Sequence, residues 1–478
     1  MPSLPEPRPN RTRKCSPAAM TCHTRSACNG KAATTVHLGW RIHSDRPTIQ
    51  SRALTWDSRM ARRVALTAED IAAKRFEANQ LFTPSAPIAV AEMFAGRQEQ
   101  AAKIVDAIGE RGRHVILYGE RGVGKSSMAQ IVPFFIPRGP KPQQVRHIRV
   151  PAFPGDTFSV VAKRIFSKIH LENDYGEGMK VYNVAEFYPG QVTIDDFLNE
   201  MGMFKETEIP IVVLDEFNEI DDEDTSIVIS NIIKALSDSG SNVTIIVVGV
   251  ADNVNDLIER HESIERCTEQ VQMPRMAVTE RREVLERRLA RLGMEISGDG
   301  KWKIINLSKG LPAYVHSLGK FAAYSALKQG KLSITEDDVD EAINEVLRSS
   351  QQSLKDAYET ATRSNQARAQ FRHVITACAL ARVDDAGYFM PTAVREPLSA
   401  ILKCPVEISK FQDNLIDFAD KRGPILERTG ESRSYRFRFL NPAMQPYVLM
   451  RGIRDGIVDE TAKRALSSPE QPDLFPND

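Results

Sequence analysis

Eight residues limit the fold of this 478-residue chain more than any others. Val115-Ile-Leu-Tyr118 is a short apolar run, and it leads directly into Gly119-Glu-Arg-Gly-Val-Gly124-Lys125-Ser126. A helical pattern follows. A Gly-rich loop between a strand and a helix turns its backbone N–H groups inward, and the helix behind it adds the positive end of its dipole. That concavity suits phosphate groups. Lys125 is spaced to reach the outer phosphates, and the Ser126 hydroxyl to ligate a divalent cation. The stretch Gly119, Glu120, Arg121, Gly122, Val123, Gly124, Lys125, Ser126 and Ser127 is therefore the expected nucleotide cradle, with ATP and Mg²⁺ as its expected ligands.

Such a loop needs a parallel α/β sheet around it. From Val115 to about Pro274 the chain alternates strand-like apolar runs with helical patterns. Val115–Tyr118, Val145–Val150, Ile211–Leu214 and Thr244–Val250 are the candidate strands. Ile211-Val-Val-Leu runs into Asp215-Glu216, which puts two acids at a carboxyl strand end, where ligands of open α/β sheets bind. Asp215 suits the metal, through Ser126 or water. Glu216 suits orienting and deprotonating an attacking water, which would make the chain an ATPase (ATP and water to ADP and phosphate).

The length allows two to four domains. Lys+Arg and Asp+Glu are equal at 63, so no global charge draws the chain to nucleic acid or membrane, and any basic surface must be local. Cys267, Cys378 and Cys404 lie far apart. They do not read as a disulfide framework, and a reducing cytoplasm is expected. Cys15, Cys22 and Cys28 with His23 lack the paired spacing of a zinc site. No run approaches the ~20 apolar residues needed to span a bilayer, and no hydrophobic leader core opens the chain.

Residues 1–59 carry Arg, Pro, Ser and Thr without periodicity, and read as disordered. Met60 is an alternative start, which would place them outside the translated chain. The sheet core is expected over 60–275 and a helical lid over 276–348. The lid includes Glu280–Leu292, a helix after Pro312, and a helix capped at Thr335 that runs to about Arg348. A polar linker is expected over 349–369. Phe371–Ala381, Thr392–Lys403 and Ile408–Lys421 then read as three helices. Ile425–Arg428 and Tyr435–Leu440 read as two strands around a Gly430 turn. That is the winged-helix order, over 370–457. A flexible tail takes 458–478.

The paired motifs resemble those of AAA+ ATPases, in the group of origin-recognition initiators, transposition-partner ATPases and STAND-type signalling ATPases. The likeness spans roughly residues 90–457. It implies an α/β P-loop core, a helical lid, a winged helix and nucleotide-dependent homo-oligomers. Phe94-Ala-Gly-Arg97 resembles the family's box beside the adenine. Asp252-Asn253, ending a strand, resembles the polar sensor of the γ-phosphate. Asn253 is assigned that role, because an aspartate would repel phosphate. Ser263-Ile-Glu-Arg266 resembles the arginine-finger segment, so Arg266 is expected to reach a neighbouring subunit. Gly310-Leu-Pro-Ala313-Tyr314 departs from the family: where the lid usually supplies an arginine it has Ala313 and Tyr314, with His316 as a candidate substitute.

Two readings of function stay open. Arg428, Arg433, Arg436 and Arg438 on the wing favour nucleotide-controlled assembly on DNA. So does the tail: Gln471, Leu474 and Phe475 resemble a sliding-clamp-binding peptide. The third helix, with Glu407, Asp413, Asp417 and Asp420, opposes DNA. It favours a signalling or defence switch acting through protein partners.

Overall fold

The computed structural model describes residues 66–85, 96–137, 143–174, 179–251, 257, 264–364, 370–384, 386–431 and 434–459. Five strands form the central sheet: β1 His114–Gly119, β2 Gln144–Pro151, β3 Glu208–Asp215, β4 Thr244–Val250 and β5 Thr268–Gln272. All pairings are parallel, in the order β2-β3-β4-β1-β5. Each central strand is apolar on both faces because both are covered. On β3, Ile211 and Val213 join a cluster with Ile104 of helix Gln98–Gly109 and Met128 of helix Lys125–Ile131. Val212 and Leu214 join Phe166 of helix Phe158–Phe166 and Ile232 of helix Glu223–Asp238 on the other side.

The four strands expected from the sequence are all present. β5 was not anticipated, because Thr-Glu-Gln-Val-Gln carries little apolar signal. An edge strand tolerates that composition, since its pairing partner β1 supplies the apolar surface. A second unanticipated element is the antiparallel hairpin His170–Asp174 with Met179–Asn183.

The lid contains helices Val278–Leu292, Gly298–Leu307, Pro312–Lys328 and Glu336–Ser349. Thr335 starts the last of these with a capping box, its N–H donating to Asp338 Oδ2 at 2.9 Å. The structure moves the expected boundaries in two places. Helix Ala68–Leu81, placed in the sheet core by the 60–275 boundary, packs on the lid instead. Lys74 Nζ donates to the Leu292 carbonyl at 2.6 Å, Arg288 Nε donates to that of Leu81 at 3.0 Å, and Ala78 and Phe82 lie in the lid's core. The expected linker 349–369 contains helix Gln352–Thr362. Its Leu354, Tyr358 and Ala361 recur at helical spacing and are buried.

Helices Phe371–Leu380, Pro391–Leu402 and Gln412–Asp420 follow, then the antiparallel pair β6 Leu426–Thr429 and β7 Arg436–Phe439. A closing helix, Met444–Arg454, was not anticipated. One apolar cluster runs without a break from Leu285 and Leu318 of the lid through Val346 and Tyr358 to Val374 and Tyr447. Lid and C-terminal segment therefore share a core. No helix among the described residues is long and apolar enough to cross a membrane.

Phe82 is 1% exposed and Phe76 is 68% exposed. Phe82→Ala should cost about 3–5 kcal/mol of apparent unfolding free energy in urea, and Phe76→Ala within about 0.5 kcal/mol of nothing. Equal losses would show that the first helix is not fastened to the lid through Phe82.

Candidate active site

The carboxyl ends of β1, β3 and β4 open on a cavity of about 740 Å³. β1 delivers Gly119 to its edge. There φ is 143°, and a Cβ would lie 2.5 Å from the Met273 carbonyl oxygen, so only glycine fits. Gly122 and Gly124 also have positive φ, 87° and 100°. A Cβ on either would meet no heavy atom nearer than 3.9 Å, which leaves the hollow of the loop open. Glu120 through Ser127 line the cavity.

Lys125 is buried at 7% exposure, and its Nζ donates to the carbonyls of Gly119 and Glu120, each at 2.8 Å. Burial pushes its pKa down to about 8, against the opposing pull of Asp215 and Glu120. The ammonium is thus held inside the loop at the place a phosphate would occupy.

Alternation along β3 puts Ile211, Val213 and Asp215 on the face of the P-loop helix. Asp215 Oδ1 there accepts the Ser126 hydroxyl at 3.1 Å and the Glu216 N–H at 3.0 Å. Two hard oxygen donors side by side at the phosphate cradle fit a magnesium ion, held by Ser126 directly and by Asp215 through Ser126 or water. Glu216 leaves the strand with φ 56°, a left-handed conformation that is unusual for a non-glycine residue. Glu216 is exposed there and lines the cavity.

Three residues complete the site that the sequence reading did not single out. Arg149 of β2 donates to Asp215 Oδ2 through Nε at 3.0 Å and also through Nη2, and its Nη1 reaches Gln130 Oε1 at 3.3 Å. An arginine in a half-buried strand was the available signal, since such a charge needs a partner. Asn218 Oδ1 accepts the Val250 N–H at 2.8 Å, which ties the turn after Glu216 to the end of β4. Arg275 grips the P-loop residue Glu120 with two bonds, Nε to Oε2 at 2.6 Å and Nη2 to Oε1 at 2.7 Å. Its Nη1 donates to Gln445 Oε1 of the closing helix, and Gln445 Nε2 donates to the Ala379 carbonyl at 3.0 Å. Only the folded chain brings residues 120, 275 and 445 together.

The remaining expectations fall out unevenly. Arg97 lines the cavity with φ 63°, its Nη2 donating to the Pro274 carbonyl and its N–H to Glu280 Oε1 at 2.8 Å. Phe94, Asp252, Asn253, Ser263, Arg433, Gln471, Leu474 and Phe475 lie outside the described residues, as do Cys15, Cys22, Cys28 and His23. Arg266 sits just before β5, whose Thr268 is opposite His114, at the far end of the sheet from Gly119. It is 69% exposed and paired with Asp238 at 2.5 Å, so it does not reach this chain's own cavity.

Ala313, the residue at which the sequence departs from the resembling family's lid arginine, lines the cavity. His316 cannot replace that charge. It is buried, its Nδ1 accepts the Thr83 N–H at 3.0 Å, and burial pushes its pKa down to about 3. A neutral ring fixed as an acceptor offers no cation to a phosphate.

The cavity has one wall from the C-terminal segment. Arg438, Phe439, Leu440, Asn441 and Pro442 line it together with the P-loop, and the Tyr314 hydroxyl of the lid donates to the Ala443 carbonyl at 2.8 Å. Three hairpin arginines are internally paired: Arg428 with Asp420 at 3.3 Å, Arg436 with Asp384 at 3.3 Å, and Arg438 with Glu427 at 2.6 Å.

A family model, Novel STAND NTPase 1, matches residues 87–382, more than half of the chain. No protein of curated function matches. Among solved structures, the chain is similar to the Aeropyrum pernix ORC2 protein in its ADPNP–ADP complexes. The TM-score is 0.48 at 14% identity, over 81% of this chain and 98% of that one. It is also similar to the A. pernix ORC1 protein in complex with DNA, with TM-score 0.43 and 14% identity over 80% and 97%. A third likeness is to a Walker-type ATPase of Pyrococcus abyssi, with TM-score 0.45 and 15% identity over 78% and 99%.

The Lys125 geometry fixes a pH dependence. Burial lowers the Lys125 pKa to about 8, and a bound phosphate would raise it again. Nucleotide binding then takes up a proton above that pH. Affinity for a fluorescent ADP analogue should be flat below about pH 7 and fall as pH rises from 8 to 10, by at most about tenfold per unit. Lys125→Arg should flatten the curve. A parent profile level to pH 10 would contradict the assignment.

Proposed function

Because the chain belongs to the Novel STAND NTPase 1 family, we propose that it is a magnesium-dependent ATPase switch whose C-terminal segment closes over the nucleotide. One observation carries this reading: the end of β7 with the turn after it, Arg438–Pro442, and the phosphate loop are walls of the same cavity. A nucleotide entering or changing there must be felt by both.

In the proposed reaction the P-loop amides and Lys125 hold the β- and γ-phosphates. Magnesium, bound beside Ser126 and Asp215, would supply charge neutralisation across those phosphates. Glu216 accepts the proton of the attacking water from its exposed position at the end of β3. Asn253 is assigned to the γ-phosphate and Arg266 to a neighbouring copy's nucleotide, which makes a homo-oligomer the active form. Glu216→Gln should reduce turnover by at least about a hundredfold while fluorescent-nucleotide affinity changes less than threefold. Equal turnover in the two proteins would remove Glu216 from catalysis.

The switch is supported by the chain of bonds from Glu120 through Arg275 to Gln445. Glu120 and Arg275 are 11% and 13% exposed, so losing one partner strands the other's charge in a poorly solvated place. Arg275→Ala and Gln445→Leu should each speed release of bound fluorescent ADP, the first by about tenfold or more. Unchanged release in both variants would sink the coupling.

A second reading, nucleotide-controlled assembly on DNA, draws on the winged-helix order of the C-terminal elements and on Arg436, whose side chain is 52% exposed. It requires the hairpin arginines to exchange carboxylate partners for phosphates. Salt-sensitive binding of duplex DNA by the Arg275→Ala protein, and not by the parent, is the outcome that would favour it.

A further inference from the structure

We propose that Arg149 is a metal-tuning residue: its guanidinium neutralises the Asp215 carboxylate and occupies the oxygen that a divalent cation would otherwise draw on, directly or through a water, and so lowers the site's affinity for the metal. The proposal rests on the reading of Ser126 and Asp215 as the magnesium site.

A carboxylate offers about four lone-pair positions. On Asp215 all four have donors. Oδ1 receives the Ser126 hydroxyl and the Glu216 N–H, and Oδ2 receives Nε and Nη2 of Arg149. A cation held through Ser126 leaves these donors in place but meets a carboxylate already neutralised by Arg149; one that drew on Asp215 directly or through a water would have to displace one of them. Ser126 is itself a metal ligand in this reading, and the Glu216 N–H is backbone fixed by the turn. Arg149 is the donor whose departure frees a lone pair.

Position and burial agree with such a role. Arg149 stands opposite Val213 on β2, on the same face as Asp215 two residues on. Its side chain is 29% exposed while that of Asp215, which lines the cavity, is 4% exposed, so the arginine has room to swing away. Its second anchor, Gln130, lies on the P-loop helix. A guanidinium seated on the carboxylate cancels the charge a divalent ion would be drawn to. The site is thereby left to depend on nucleotide phosphates for most of its pull on the metal.

This predicts a sign opposite to that of a structural prop. Removing a prop loosens the metal site. Removing a competing cation strengthens it, here by about three- to tenfold given the attenuation of charge interactions in partly solvated sites. The test uses the full chain with saturating ADP and Mn²⁺ as the probe, free Mn²⁺ being read by electron paramagnetic resonance.

Arg149→Met, which removes the charge and keeps the length, should lower the half-saturating Mn²⁺ three- to tenfold. Arg149→Lys should stay within twofold of the parent. In an Asp215→Asn background the Met substitution should have no effect. Equal or weaker Mn²⁺ binding by Arg149→Met would overturn the proposal. If the parent binds a fluorescent ADP analogue but retains no Mn²⁺, the metal site and the proposal fail together.

Discussion

One buried carboxylate holds the phosphate end of this molecule in register. Asp215 is reached by the P-loop helix through Ser126, by the edge-proximal strand through Arg149 and by its own chain through the Glu216 N–H. The β2–β3 ladder runs on to Asp215, opposite Pro151, and these side-chain contacts add the P-loop helix to the carboxyl ends of the two strands. A carboxylate 3% exposed is tolerated because its acceptor positions are filled. That one satisfied group ties the P-loop helix, Arg149 of β2 and the turn at Glu216 together.

The second organising fact is that the lid and the C-terminal helices do not have separate cores. Leu318, Tyr358, Val374 and Tyr447 belong to one cluster. A displacement of the lid by nucleotide cannot leave the C-terminal segment behind without opening apolar surface at about 25 cal/mol per Å². The polar links run the same way, from Glu120 to Arg275 to Gln445 and from Tyr314 to Ala443. The joint between the sheet and everything after residue 276 is therefore the place where the molecule can hinge, and the cavity lies in that joint.

Much of this was readable in the sequence, for definite physical reasons. Short β-branched runs ending in Gly119 and in Asp215-Glu216 leave few alternatives, because a P-loop and an acidic strand end work only in a parallel sheet. β5 was hidden because an edge strand needs little apolarity of its own. Helix Gln352–Thr362 was read as linker because its exposed polar residues outnumber Leu354, Tyr358 and Ala361. His316 looked like a cation in the sequence, whereas burial beside Phe82 makes it a neutral acceptor. Arg149, Asn218 and Arg275 were invisible as site residues, since their partners are set by strand register and domain packing rather than by spacing along the chain.

The charges around the cavity favour the proposed switch over a fast motor. Phosphate binding concentrates several negative charges, and a fast ATPase meets them with cations already aimed at the transition state. Arg121 of the P-loop is exposed at the cavity, whereas Arg149 is committed to Asp215, Arg275 to Glu120, Arg438 to Glu427 and Arg97 to the Pro274 carbonyl. His316 is neutral, Ala313 stands where the lid would give an arginine, and Lys125 rests on two carbonyls of its own loop. Each of the committed arginines must break a bond before it can help a phosphate, and for Arg275 that bond also fastens the C-terminal segment. In the proposed switch, progress along the reaction would be tied to loosening the same contacts that keep the cavity covered.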